Sequence, residues 1–174
     1  MLLRPPSADD LIDEEAFGED EFMPYWAELW PSGIVLARVV AELDFGGRRV
    51  LELGAGLGLP SLAAALRGAD VLATDWADDA VTLLQENAAR NGIVLRAERV
   101  RWDEPGPLLD GAPWDLVLGA DLLYEERNAS LLLGLLPRLG ARDVLLAEPG
   151  RPAAAGFLAH WDVEEVADRV YRLR

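Results

Sequence analysis

The hydrophobic positions of the chain change their period several times, and each change marks a new element. From Pro31 onward, apolar residues recur at the spacing of one helix face until the glycine pair at 46–47, which predicts a helix. The segment RRVLEL, 48–53, is a short apolar run and predicts a strand. Residues 60–67 read PSLAAALR, a predicted helix with proline in its first turn and Gly68 as its stop.

Strand and helix patterns alternate along the rest of the chain. Further strands are predicted at 70–75, within 93–102, at 114–121 and at 142–148, and further helices at 78–92 and through 129–139. This alternation indicates a parallel sheet with right-handed crossovers. The tail, 161–174, is predicted to add one or two short strands, antiparallel if they pair at the sheet edge. The predicted fold class is α/β: a single-domain, Rossmann-like, doubly wound, mostly parallel sheet with helices on both faces.

Length and composition limit the chain to one domain. With 174 residues, of which 51% are hydrophobic, it can bury one sizeable core but not two. Residues 1–22 are acidic and weakly periodic, so we predict a lead-in segment there and the domain over 23–174. The start lacks the apolar run of a signal peptide, and no run of about 18 apolar residues occurs. We therefore expect a soluble cytoplasmic protein without a membrane partner.

The formal net charge of −15 narrows the choice of partner. A phosphate backbone would be repelled, so nucleic acid is not expected. The same field favours a cationic substrate, although an acidic surface also serves solubility alone. The chain has no cysteine, which excludes disulfides, thiolate nucleophiles and cysteine-based zinc sites, and no metal site is predicted. The sequence does not fix the oligomeric state, and a monomer is the expectation.

A glycine-rich turn follows the first predicted strand. In VLELGAGLGLP, the glycines Gly54, Gly56 and Gly58 let the backbone approach a ligand closely and leave helix N–H groups free to meet it. A dinucleotide fingerprint would place its third glycine where Leu59 stands, so a diphosphate is disfavoured. Asp75 ends the next strand at the separation from this turn at which an acid holds ribose hydroxyls, although it could equally cap the following helix. The pattern favours a nucleoside.

Aromatic residues gather just before the first predicted helix. The segment PYWAELWPSG contains Tyr25, Trp26 and Trp30, and Trp102 follows the third predicted strand. An indole offers a flat face to an adenine ring and attracts a cation. Trp30 and Trp102 are therefore candidates for a nucleoside site, with core packing as the alternative. Tyr25 and Trp26 are interpreted as packing residues.

Together these motifs resemble a known family over about residues 24–152. ELGAGLG after the first strand, an acid after the second and no P-loop lysine are similar to class I, seven-strand S-adenosylmethionine-dependent methyltransferases. The ordered motifs WAELWPSGIVLARVV, LELGAGLGLPSLAAALRGADVLATD, RWDE and LGADLLYE resemble the lysine methyltransferase-like branch, and LLAEPGRP resembles the group that methylates the electron-transfer flavoprotein beta subunit.

The resemblance implies an activity and a role for each matched residue. S-adenosylmethionine would be the cofactor, S-adenosylhomocysteine the product, and a lysine side chain of a protein the acceptor. A small-molecule amine or protein histidine acceptor, and a non-catalytic nucleoside-binding module, remain the alternatives. The implied cofactor residues are Gly54, Ala55 and Gly56 at the methionine end, Asp75 at the ribose, Trp102 beside the adenine, Ala120 at the end of the fourth strand, Trp30 closing over the cofactor, and Glu52 as a water-linked acid facing its amino group.

The segment ADLLY after the fourth strand is the candidate acceptor site. Asp121 and Tyr124 are three positions apart and can face one point, at the sheet edge where ligands of open parallel sheets lie. In the family such a D-x-x-Y segment lies against the incoming amine, so we assign Asp121 to binding and orientation and Tyr124 to shaping the amine channel. The alternative is that Asp121 only caps the next helix. Leu122 and Leu123 replace the proline pair usual in nucleobase amino-group methylases, and His160 is expected to be a surface or packing residue.

Overall fold

This computed structural model describes residues 2–5 and 24–174. Within them lie seven strands, six α-helices and two 3-10 helices. The strands are β1 (Arg49–Leu53), β2 (Asp70–Asp75), β3 (Arg96–Arg99), β4 (Leu116–Ala120), β5 (Asp143–Ala147), β6 (Val163–Ala167) and β7 (Val170–Leu173). The helices are α1 (Pro31–Ala41), α2 (Leu59–Leu66), α3 (Asp78–Arg90), α4 (Gly106–Asp110), α5 (Glu126–Leu135) and α6 (Ala154–Leu158). The predicted lead-in, 1–22, lies outside the described residues except for 2–5.

All seven strands belong to one sheet with the order β3-β2-β1-β4-β5-β7-β6. Strands β1 to β5 pair in parallel, and β7 runs antiparallel to both β5 and β6. From β1 the chain moves outward to β2 and β3 and then returns to place β4 on the other side of β1. The predicted doubly wound α/β fold is thus confirmed. Ligands of such sheets bind at this reversal of strand order, outside the carboxyl ends of the strands.

Apolar side chains from both faces of the sheet are buried under helices. Along β1, Val50 belongs to a cluster with Leu36 of α1 and Leu84 of α3. Leu51 and Leu53 belong to a second cluster, which includes side chains of α4, α5 and α6. Successive residues of a strand point to opposite faces, so two covered faces explain why the central strands β1, β4 and β5 are apolar at most positions.

Glycines and acids mark the helix ends that the sequence predicts. Gly58 precedes α2 with φ of 74°, and Gly68 follows it with φ of 84°, a left-handed conformation that glycine adopts without steric cost. Asp78 and Asp79 stand in the first turn of α3, where carboxylates interact favourably with the helix dipole.

Three short helical segments are absent from the sequence-based prediction. They are a 3-10 helix at Tyr25–Ala27, α4 and α6. Each has only three to five residues, which is too short to show the apolar period of a helix. The helix predicted through 129–139 begins earlier, at Glu126, and continues from Leu136 as a 3-10 helix that contains a proline. The tail forms β6 and β7, as predicted. Within the described ranges, no helix has the length and apolar character needed to cross a bilayer.

Candidate active site

A cavity of about 370 Å³ lies at the carboxyl ends of the central strands. A volume of this size suits a small-molecule ligand. All ten residues that the sequence nominates line it: Trp30, Glu52, Gly54, Ala55, Gly56, Asp75, Trp102, Ala120, Asp121 and Tyr124. Residues from widely separated segments therefore form one site at the topological switch point. The ligand that each would contact stays a prediction.

The glycine turn between β1 and α2 forms the floor of the cavity. Gly54 and Gly56 have φ of 59° and 51°, which side chains rarely tolerate. A Cβ on Gly54 would also lie 2.8 Å from Leu122 Cδ2, and one on Gly56 would lie 2.9 Å from the carbonyl oxygen of Trp26. Glycine is therefore required here both by the backbone conformation and by the close approach of neighbouring segments.

A hydrogen bond to Asp75 connects the glycine turn to the end of β2. Its side chain is 5% exposed and accepts hydrogen bonds from the Gly56 N–H at 2.9 Å and the Ala77 N–H at 3.1 Å. Burial raises the pKa of Asp75, and these backbone hydrogen bonds oppose the rise. The capping alternative is not observed, because Ala77 is the N-cap of α3 and no side chain caps that helix. A carboxylate has about four acceptor positions, so Asp75 retains capacity for further donors.

Glu52 is a second buried acid beside the turn. It lies within β1, is 1% exposed and accepts the Ser61 N–H of α2 at 2.8 Å. Burial raises the pKa of Glu52 to about 8, against the opposing hydrogen bonds from Ser61. At neutral pH this group is therefore mostly protonated in the free protein.

Three aromatic rings form one wall of the cavity. The ring of Tyr25 lies 6.1 Å from that of Trp30 and 5.2 Å from that of Tyr124, both in edge-on arrangements. The indole N–H of Trp30 donates to the Tyr25 carbonyl at 2.8 Å, which ties these two residues together. Burial raises the pKa of Tyr124, so its phenol is protonated at neutral pH. Tyr25 and Trp26, interpreted from the sequence as packing residues, both line the cavity.

Asp121 forms an ion pair that the sequence did not reveal. Its Oδ1 accepts a hydrogen bond from Arg151 Nε at 2.7 Å, and its own N–H donates to the Ala147 carbonyl at 2.8 Å. The alternative that Asp121 caps the next helix is wrong, because α5 begins at Glu126 with Glu125 as its N-cap. The missed residue, Arg151, also lines the cavity, and its only sequence signal was its place in EPGRP after β5.

Other candidates for acid–base or metal chemistry lie away from the cavity. His160 is exposed, and its ring Nδ1 lies 2.9 Å from the carbonyl of Gly156, in agreement with the predicted surface role. Over residues 2–5 and 24–174, no cluster of histidine or acidic side chains could hold a metal ion.

Comparison with known proteins decides the family. The sequence profile of a family described as lysine methyltransferase matches residues 16–155. The chain belongs to this lysine methyltransferase family. The match spans the glycine turn, Asp75, Asp121 and Arg151, and it ends before β6. The predicted resemblance to the lysine methyltransferase-like branch is confirmed.

Three curated relatives from vertebrates share about a third of their aligned residues with this lysine methyltransferase-family chain. The zebrafish (Danio rerio) protein N-lysine methyltransferase METTL21A is 34% identical over 127 residues, 69% of this chain and 58% of that protein. The mouse (Mus musculus) EEF1A lysine methyltransferase 3 is 37% identical over 118 residues, 65% and 50% of the two chains. The human (Homo sapiens) electron transfer flavoprotein beta subunit lysine methyltransferase is 31% identical over 154 residues, which cover 83% of this chain and 56% of that protein. The chain thus spans about half the length of these relatives.

Solved structures share the fold. The ribosomal protein L11 methylase of Lactobacillus delbrueckii subsp. bulgaricus superposes with a TM-score of 0.58 at 26% identity, covering 81% of this chain and 76% of that one. The magnesium protoporphyrin IX methyltransferase of Synechocystis PCC 6803, solved with bound SAH, superposes with a TM-score of 0.61 at 20% identity, covering 82% and 81%. The second likeness bears on the fold alone.

Proposed function

We propose that this chain is an S-adenosylmethionine-dependent N-methyltransferase whose acceptor is a lysine side chain of a protein. One observation carries the proposal: a single cavity at the switch point contains both the glycine turn with its two buried acids and the D-x-x-Y segment with its aromatic wall. The first part suits a charged nucleoside and the second an amine, so both reactants could meet in one cavity.

The side of the cavity near β1 to β3 fits the cofactor chemically. Asp75 keeps free acceptor positions for sugar hydroxyls, and Trp102 lies beside the glycine turn, where it can offer its ring to an adenine. Glu52 is a buried acid that a positively charged amino group would drive to ionise.

When bound, S-adenosylmethionine supplies an activated methyl group: the amine lone pair forms the new N–C bond, the electrons of the broken S–C bond stay on sulfur, and the proton lost earlier by the ammonium goes to solvent. The residues of this chain have to bind a neutral amine and exclude water. Releasing a lysine proton at neutral pH costs roughly 4 to 5 kcal/mol from the reference pKa. Tyr25, Trp30 and Tyr124 lower this cost by surrounding the amine with apolar surface, because desolvation disfavours the charged form.

The choice of a lysine acceptor is supported by the relatives. The zebrafish, mouse and human proteins are each named as lysine methyltransferases, and each is about twice as long as the region it shares with this chain. A Xenopus laevis relative, 38% identical over 112 residues, covering 60% of this chain and 47% of that protein, is named as a histone-arginine methyltransferase. The names of the relatives therefore support methylation of a protein more directly than they support lysine as the modified residue.

A labelling experiment tests the activity. The protein is incubated with methyl-radiolabelled S-adenosylmethionine and an extract of the source organism, and the labelled residue is identified by mass spectrometry. We expect transfer to lysine and loss of transfer in Gly54→Arg, because its side chain would enter the cavity floor. Gly134→Arg is the matched control, since a Cβ on Gly134 of α5 meets nothing within 4 Å.

The outcomes separate the alternatives. Label on histidine, arginine or a small amine would keep the methyltransferase and refute the lysine acceptor. Calorimetric binding of S-adenosylmethionine without transfer to any component of the extract would indicate a binding module. Absence of both binding and transfer would refute the proposed function altogether.

A further inference from the structure

The cavity divides into two parts according to the strands that supply its residues. On one side, Gly54 follows β1, Asp75 is the last residue of β2 and Trp102 lies shortly after β3. Asp121 and Arg151 follow β4 and β5 on the other side, next to the aromatic wall. If the cofactor takes the first part, the acceptor amine has to enter through the second. The charges of that second part therefore act on the amine directly.

The carboxylate of Asp121, in the second part of the cavity, is already paired with the guanidinium of Arg151. Arg151 Nε lies 2.7 Å from Asp121 Oδ1, and the Asp121 side chain is only 6% exposed. The guanidinium carbon of Arg151 lies 5.7 Å from the ring centroid of Trp30, within the range of a cation–π interaction. Asp121 thus reaches the cavity as half of an ion pair rather than as an isolated negative charge.

The loop that carries Arg151 is held from two directions. Glu148 Oε1 accepts the N–H groups of Gly150 at 2.8 Å and Arg151 at 2.6 Å. From the hairpin of β6 and β7, the Arg169 guanidinium donates to the Pro149 carbonyl, and the Glu148 N–H donates to the Arg169 carbonyl at 3.0 Å. These contacts set the position of Arg151 before any ligand binds.

Several other ionisable groups surround the pair. Glu148 is buried beside it, and Tyr25 faces Arg151 from the segment before α1. Tyr124, Glu125 and Arg127 lie on the β4–α5 side of the same cavity. Burial raises the pKa of Glu148, the hydrogen bonds from Arg151 and Gly150 oppose this rise, and Asp121 adds to it.

We propose that Arg151 is a positioning residue for the acceptor: it balances the charge of Asp121, so that the amine gives its proton to solvent and binds in its neutral form. An unpaired carboxylate would stabilise the ammonium and withhold the lone pair that methyl transfer needs. A carboxylate paired with arginine can still accept a hydrogen bond from a neutral amine, because its remaining acceptor positions stay available. This inference rests on the proposed function.

The test measures the protonation of a bound amine. The probe is Nα-acetyl-L-lysine N-methylamide labelled with ¹³C at Cε, bound in the presence of S-adenosylhomocysteine. An NMR titration of the Cε shift gives the pKa of the bound amine without any turnover. The proteins are the wild type, Arg151→Met, Asp121→Asn and the control Arg142→Met. Arg142 is exposed and precedes β5, at the sheet edge opposite the cavity, so the control removes the same charge at a distance where salt screens it.

The two variants are expected to act in opposite directions. R151M leaves Asp121 unpaired and should raise the pKa of the bound amine by about one pH unit, whereas D121N leaves Arg151 unpaired and should lower it by about one unit. R142M should match the wild type. In turnover assays with the same probe, R151M should lower KM for the amine, lower kcat at neutral pH and recover kcat as the pH rises.

If Arg151 has a purely structural role, the two variants should not shift the pKa of the bound amine in opposite directions. Unchanged pKa values in both variants, or shifts in the same direction, would overturn the inference, and melting temperatures would then report the structural effect. If R151M does not fold, the sign of the D121N shift decides alone. A wild type that neither binds nor methylates the probe would also overturn the inference, whereas the labelling experiment with the extract judges the proposed function separately.

Discussion

Raising the pH is expected to destabilise the cofactor-free protein through Glu52. The carboxyl of Glu52 has a pKa of about 8 in the fold and an ordinary value of 4.5, because burial disfavours its charged form. The folded protein therefore keeps this proton over a pH range in which the unfolded chain has lost it. The sign follows from proton linkage: stability is unaffected below the unfolded pKa and falls as the pH rises toward the folded pKa.

The size of the effect follows from the two pKa values. They differ by about 3.5 pH units, and about 1.4 kcal/mol per unit gives roughly 5 kcal/mol as the upper limit of the loss. Glu52→Gln keeps the shape of the side chain and an oxygen for the Ser61 N–H, but it carries no charge. The free energy of unfolding of E52Q relative to wild type should therefore increase steadily between about pH 5 and about pH 8.

Urea unfolding of both proteins at several pH values measures this difference. Glu86→Gln on α3 is the control, since Glu86 is exposed and pairs with Arg90 at the helix surface. It should follow the wild-type curve, because exposed ion pairs contribute about 0 to 1 kcal/mol. Parallel pH curves for E52Q and wild type would show that Glu52 ionises normally in the fold and would refute the reasoning.

Two further predictions concern stability near the site and at the start of the chain. Gly56→Ala should lower the free energy of unfolding by about 1 to 3 kcal/mol more than Gly46→Ala does. Both glycines have φ of 51°, but of the two only an added Cβ at position 56 would meet a backbone atom, at 2.9 Å. Equal losses in thermal unfolding would rule out the steric contribution. Asn87→Ala should lower the free energy of unfolding by about 2 kcal/mol. The buried Asn87 side chain accepts a hydrogen bond from the Leu3 N–H at 2.6 Å and donates one to the Leu3 carbonyl at 3.1 Å. Glu86→Ala, one residue earlier, should stay within about 0.5 kcal/mol of wild type, and an equal loss would argue against the Leu3 contact.

Local signals were sufficient to predict the elements that carry the cofactor side of the site. The glycine turn at 54–58 follows β1 and Asp75 ends β2, and the apolar run of each strand is recognisable from the local sequence alone. Since parallel strands bring their carboxyl ends to one edge, the convergence of these residues follows from the order of elements alone.

The acceptor side was less predictable because its contacts are long-range. Arg151 lies 30 positions from Asp121 along the chain, and only the packing of β4 beside β5 brings them together. Tyr25 and Trp26 precede α1 on a segment without periodicity, so the sequence could not predict that Trp26 approaches Gly56 or that the Tyr25 ring packs against Tyr124. The sequence identified Asp121 correctly as a cavity residue but could not show that its charge is balanced.

The contact between Arg169 and the Pro149 carbonyl links the hairpin of β6 and β7 to the loop that carries Arg151. The hairpin lies outside the residues that the family profile matches, whereas the glycine turn lies inside them. Substitutions around Arg169 can thus shift the loop that carries Arg151 and leave the glycine turn in place. If Arg151 faces the acceptor as proposed, a change in the hairpin could therefore alter which target is modified without changing the part of the cavity proposed for the methyl donor.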